Sequence, residues 1–178
     1  MNKITSILST YGTVIAVTCK EKLIETLLSY ITGYNHTKYW TRRQKLFNNK
    51  LSLLKRLYYY VYIKRCDAKH LSSFGTTISG GATFSSPPKL PHGMNGIIVG
   101  SDAVIGRDVY IYQQVTILEG GVVIGDNVLL GSGCKILRHV HIGNNVRVGA
   151  NCIVVDDIPD GATVVMQKPR IIIKDNAK

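Results

Sequence analysis

From Val99 onward the chain repeats every six residues, and no other feature restricts its fold so tightly. Cut at that interval it reads VGSDAV, IGRDVY and IYQQVT, then ILEGGVV with one extra residue, then IGDNVL, LGSGCK, ILRHVH, IGNNVR, VGANCI and VVDDIP. An aliphatic residue opens every unit: Val99, Ile105, Ile111, Ile117, Ile124, Leu130, Ile136, Ile142, Val148 and Val154. Glycine follows it in six of the ten, and a small or β-branched residue returns four places on, as at Ala103, Val109, Val115, Cys134 and Cys152. Such a period fits neither the roughly 3.6 residues of an amphipathic helix nor the alternation of a simple strand. It predicts a hexapeptide β-helix, in which three units close one triangular coil and the opening aliphatics stack inward about 4.8 Å apart. The expected architecture is all-β, a left-handed parallel β-helix, with a short N-terminal α-helical appendage.

Ile78, Phe84 and Leu90 extend the same spacing upstream, after which nine residues separate Leu90 from Val99. Three residues more than one unit therefore bulge outward in PHGMNG (91–96), and an insertion on a regular prism is where a binding or catalytic loop is expected. It carries His92, beside Gly93 and Gly96, which let backbone approach a ligand. The cysteines, at 19, 66, 134 and 152, form no CxxC pair and lack the density of a stapled secreted domain. A reduced, cytoplasmic setting is expected, with Cys134 and Cys152 stacked in the core. His139 and His141 lie on one unit, but no third ligand stands in register with them, so no metal is expected.

The net charge of +11 is unevenly placed. Residues 38–70 hold ten Lys/Arg against the single Asp67, whereas 71–178 hold nine against eight acids. Residues 20–32 show helical spacing in Leu23, Ile24, Leu27, Leu28 and Ile31, and 38–66 are expected to form a second, basic helix with Trp40 and Tyr58, Tyr59 and Tyr60. That segment can cap the prism, or sit on an anionic membrane face or an acidic polysaccharide; nucleic acid is not an expected partner. The N-terminal apolar stretch is too interrupted for a signal peptide, and nothing approaches the roughly 20 apolar residues of a membrane span. The expected organisation is a helical appendage over 1–72, the β-helix over 73–165 and a tail over 166–178.

The residues LPHGMNGIIVG (90–100), AVIGRDVYIYQQVTI (103–117), GCKIL (133–137), IGNNVRVGANCIVVDDIP (142–159) and KPRII (168–172) resemble the hexapeptide acyltransferases, and within them the serine O-acetyltransferase branch. The resemblance implies an acetyl-CoA-dependent O-acetyltransferase, usually a homotrimer, in which His92 takes the proton from the acceptor hydroxyl. It implies acyl-CoA contacts at Gly120, Ser132, Gly149 and Ala150, with Lys168 and Arg170 near the phosphates. The Asp that orients the family's histidine corresponds in ungapped register to Thr77; the Thr77 hydroxyl, a backbone carbonyl or a neighbouring subunit's group can each hold the His92 tautomer. Pro91 replaces the family's acid before the histidine, and the loop that holds the serine carboxylate is reduced to LEGG (118–121). These departures look more like the O-acetyltransferases of capsule, O-antigen and exopolysaccharide synthesis. The expected acceptor is therefore a sugar hydroxyl of a surface polysaccharide or its precursor, and the expected location is the cytoplasm, free or peripheral at the inner membrane face. The alternatives are serine O-acetylation or a non-catalytic scaffold.

Overall fold

The structure, a computed structural model, describes residues 31–47 and 51–168. Arg170, Cys19 and nearly all of the helix expected over 20–32 lie outside them. The described residues fall into two compact units that part between Lys69 and His70.

The first unit holds two helices, α1 (His36–Leu46) and α2 (Leu53–Lys69). Asn35 caps α1, its side chain accepting from the Lys38 N–H at 2.8 Å, and the Ser52 carbonyl accepts the first helical bond of α2 from Arg56. The single helix expected over 38–66 is thus interrupted. The spacing of Trp40, Phe47, Leu51 and Leu54 runs through the break and conceals it, whereas Asn48, Asn49 and Ser52 favour caps over helix interior. Tyr39, Trp40, Arg43 and Leu46 of α1 and Ile63, Cys66 and Asp67 of α2 are buried. The Tyr39 hydroxyl donates to Asp67 Oδ1 at 2.7 Å.

The second unit is the left-handed parallel β-helix. Its first face stacks β1 (Ser73–Phe74), β3 (Ile98–Val99), β6 (Thr116–Ile117), β9 (Lys135–Ile136) and β12 (Ile153–Val154). The second stacks β2 (Thr83–Phe84), β4 (Val104–Ile105), β7 (Val123–Ile124) and β10 (His141–Ile142). The third stacks β5 (Tyr110–Ile111), β8 (Leu129–Leu130), β11 (Arg147–Val148) and β13 (Thr163–Val164). Every pairing is parallel, and partners such as Val99, Ile117, Ile136 and Val154 form the inward columns. All ten opening aliphatics are buried, as are Cys134 and Cys152. Burial pushes the Cys134 thiol up to about 12, so it packs as an apolar group.

Ile78 does not join the column: it is 42% exposed, and Phe74 takes the inward place opposite Val99. Thr77 and Gly80 close a tight turn between bridge partners Thr76 and Gly81, so the chain leaves the coil where the six-residue spacing seemed to continue. The corners of the prism need left-handed backbone, which Asp108, Gln114, Asn127, His139, Asn145 and Asn151 supply with φ between 54° and 63°. Short polar side chains tolerate that conformation best, hence the Asn and Asp at these places.

Candidate functional site

The inserted loop leaves the third face after Lys89, whose N–H donates to the Val109 carbonyl, and re-enters the first face at Ile98. Met94 and Ile97 are buried and anchor it. Gly93 and Gly96 turn it with φ of 70° and 65°, and a Cβ at Gly96 would lie 3.3 Å from Gln114 Cγ. The Gly96 N–H donates to the His70 carbonyl at 3.0 Å, His70 Nδ1–H donates to Asn95 Oδ1 at 3.1 Å, and Asn95 Nδ2 donates to the His92 carbonyl at 3.4 Å. The loop backbone is therefore held from both sides while the exposed His92 ring projects outward. Among the described residues its ring neighbour is Tyr112, edge-on at 5.4 Å between centroids. Among the described residues no side chain hydrogen-bonds the His92 ring, so its nitrogens are open to an acceptor hydroxyl.

Thr77 is not brought to His92. Its hydroxyl donates to the Gly80 carbonyl at 3.0 Å within the tight turn. What stacks above the His92 loop is His70, which no repeat register could indicate because it precedes the first coil.

The loop forms one corner of the prism. Beneath it, coil by coil, lie Tyr112 to Gln114, Gly131 to Gly133 and Gly149 to Asn151, linked by backbone bonds from Gln114 to Asn95, Gly133 to Gln113 and Asn151 to Ser132. Ser132, Gly149 and Ala150 thus share the His92 corner, and Val165 to Lys168 continue from β13 in the next coil. Gly120 does not share it. It sits at the corner between the first and second faces, with φ of 119°, where a Cβ would lie 3.0 Å from the Arg138 stem. Backbone geometry and close packing account for that glycine. Gly120 and Gly121 both donate to Asp102 Oδ2 at 2.8 Å, which holds the Asp102 carboxyl below the usual carboxylate range.

The description "Bacterial transferase hexapeptide (six repeats)" matches residues 121–156. A serine acetyltransferase of Helicobacter pylori is 34% identical over 136 residues, covering 70% of this chain and 75% of that protein. The chain belongs to the serine acetyltransferase family. With the family comes the enzyme class, an acetyl-CoA-dependent acyltransferase. Solved members of the serine acetyltransferase family share the fold. Isoform 3 of Entamoeba histolytica, in complex with cysteine, superposes with a TM-score of 0.59 at 27% identity, over 78% of this chain and 49% of its own. The Neisseria gonorrhoeae enzyme, in complex with serine, gives 0.56 at 27% identity, over 74% and 54%. The chain spans about half the length of these two solved relatives.

These findings correct the expected acceptor. A sugar hydroxyl, and with it the likeness to capsule and O-antigen O-acetyltransferases and the role in polysaccharide synthesis, rested on Thr77, Pro91 and the short 118–121 loop; the relatives are serine acetyltransferases, and one solved member holds serine. Tyr112 and Asn95 were the site residues sequence reasoning missed. Tyr112 was findable, because its unit, opened by Ile111, precedes the same corner as the unit before His92. Among the described residues no group of three or more His, Cys, Asp and Glu side chains could hold a metal ion, and no helix is long and apolar enough to cross a membrane.

Proposed function

We propose that the chain is a serine O-acetyltransferase, moving the acetyl group of acetyl-CoA onto the hydroxyl of L-serine. The observation that carries this reading is its likeness to serine acetyltransferases across 70% of its length, joined to an exposed histidine on a loop inserted at a corner of the prism. His92 takes the proton from the serine Oγ as that oxygen attacks the thioester carbonyl; the C–O bond forms, the C–S bond breaks, and the CoA thiolate leaves and is protonated. Tyr112 limits the swing of the imidazole, and Asn95 fixes the backbone from which it projects. Acetyl-CoA lies along the His92 corner, where Ser132, Gly149 and Ala150 leave room for the pantetheine arm. Lys168, and Arg170 outside the described residues, meet its phosphates, multiply charged groups that favour cations. The open side of the His92 ring is completed by a neighbouring subunit of a homotrimer, and the enzyme works in the cytoplasm.

Release of CoA thiol by the purified protein, with L-serine as acceptor and the serine methyl ester and a simple sugar as controls, tests the reading. Turnover that requires serine, and falls when its carboxylate is esterified, is the expected result. Turnover with the sugar but not with serine, or none with any acceptor, contradicts it.

A further inference from the structure

We propose that the α1–α2 unit is a docking surface for an anionic lipid bilayer. One face of α2 is buried with Ile63, Cys66 and Asp67, and the opposite face carries Leu53, Leu54, Leu57, Tyr58 and Val61 in helical register, with Leu53 and Leu54 74% and 80% exposed. Later on that face come Arg65 and Lys69. Tyr58 stands between two hollows. A cavity of about 580 Å³ is lined by Lys38, Arg42 and Lys45 beside Thr37 and Thr41, and another of about 400 Å³ is lined by Arg65 and Lys69. Arg42 is held over the Tyr62 ring at 3.9 Å and donates to the Tyr58 hydroxyl at 3.2 Å, so a guanidinium is fixed at the rim of the first hollow.

Charge decides the occupant. Asp67 is the one acid among residues 38–70, and it is buried against Tyr39, so among the described residues the outward surface of α1 and α2 offers cations and no carboxylate. A second copy of the same face would meet like charge with like charge. A soluble polyanion would pair with the cations but gain nothing from five exposed apolar and aromatic side chains. A bilayer surface uses both. Leucines enter the acyl boundary, tyrosines sit at headgroup level and the cations meet lipid phosphates.

Flotation of the full-length protein with vesicles, either of phosphatidylcholine alone or of equal parts phosphatidylcholine and phosphatidylglycerol, tests this. The wild type should float with the anionic vesicles, stay behind with the neutral ones, and be released by high salt. Replacing Lys38, Arg42 and Lys45 together by Gln should weaken partitioning on the order of a hundredfold, about fivefold for each cation. Leu53→Gln, Leu54→Gln and Leu57→Gln combined should weaken it by more than about tenfold. Both variants should keep their circular dichroism and their turnover of soluble substrates. A wild type that floats with neither vesicle overturns the proposal, as it would if residues 20–31 or another protein covered the leucines. So does binding to dextran sulfate as tight as that to vesicles and unaffected by the leucine changes, which would assign the surface to polyanions.

Discussion

Two kinds of corner run along the same prism. At the corner through Arg107, Asp126, Asn144 and Asp160, each side-chain oxygen accepts the backbone N–H one coil away: Arg107 to Asp126 at 2.7 Å, Asp126 to Asn144 at 2.8 Å and Asn144 to Asp160 at 2.7 Å. The Gly120 corner is stapled likewise through Asp102 and through Glu119 to Ser101. The corner beneath His92 has the backbone rungs alone; from Tyr112 down to Asn151, among the described residues, no side chain bridges one coil to the next. A buried Gln113 Oε1 is left there with no partner. Away from the 91–96 loop and the extra residue at 118–121, repetition gives the corners similar backbone, so much of their difference lies in side chains. Where polar groups are spent on one another the corner is structural, and where they are withheld the surface is left open, which is where the proposed function puts acetyl-CoA.

The largest effect should come from the core that both kinds of corner share. Ile136→Asp would bury an unpaired carboxylate in the inward column at a cost of several kcal/mol, and should yield no folded protein; soluble, native circular dichroism from this variant would mean that the columns are wrong. His92→Ala tests the open corner alone. It should lower kcat about 10²–10⁴-fold with the melting temperature unchanged, and a variant that keeps more than about a tenth of wild-type kcat would remove His92 from the role of base. A smaller effect, about tenfold or more in KM for acetyl-CoA, is expected from Ala150→Tyr, which fills the corner where the pantetheine arm is placed. An unchanged KM in steady-state kinetics would put the arm elsewhere.

The smallest effect concerns the stapled corners. Backbone N–H groups of Gly120 and Gly121, in that order, hold the Asp102 carboxyl low, and Arg107, first through its backbone and then through its side chain, does the same for Asp126. A carboxyl whose folded pKa is depressed binds fewer protons than in the unfolded chain, so its contribution is complete above about pH 4 and is lost as pH falls through the folded value. The melting temperature should therefore drop on acidification below about pH 4, less steeply in Asp102→Asn and Asp126→Asn than in the wild type. Parallel curves in scanning calorimetry would show that these staples contribute nothing measurable.

The repeat was legible because a β-helix gives each unit one inward aliphatic, and a column cannot tolerate a miss. Its corners were legible too, since counting units by threes separates Gly120, three residues after Ile117, from Ser132 and Ala150, which follow Leu130 and Val148. Ile78 misled because the Thr77–Gly80 turn happens to preserve a spacing of six to Phe84. Asn95 and His70 were invisible for the opposite reason, standing in or before the stretches that break the period. The acceptor was the least legible feature. The absence of Asp at Thr77 said only what does not orient His92.

Hydrogen exchange with and without CoA tests the difference between the corners most directly. Amides of 131–133 and 149–151 should gain the largest protection when CoA binds, while those of Arg107, Asp126 and Asn144, which lie on a different corner, should change little. Protection that leaves 131–133 and 149–151 unchanged would contradict the assignment of the His92 corner to acyl transfer.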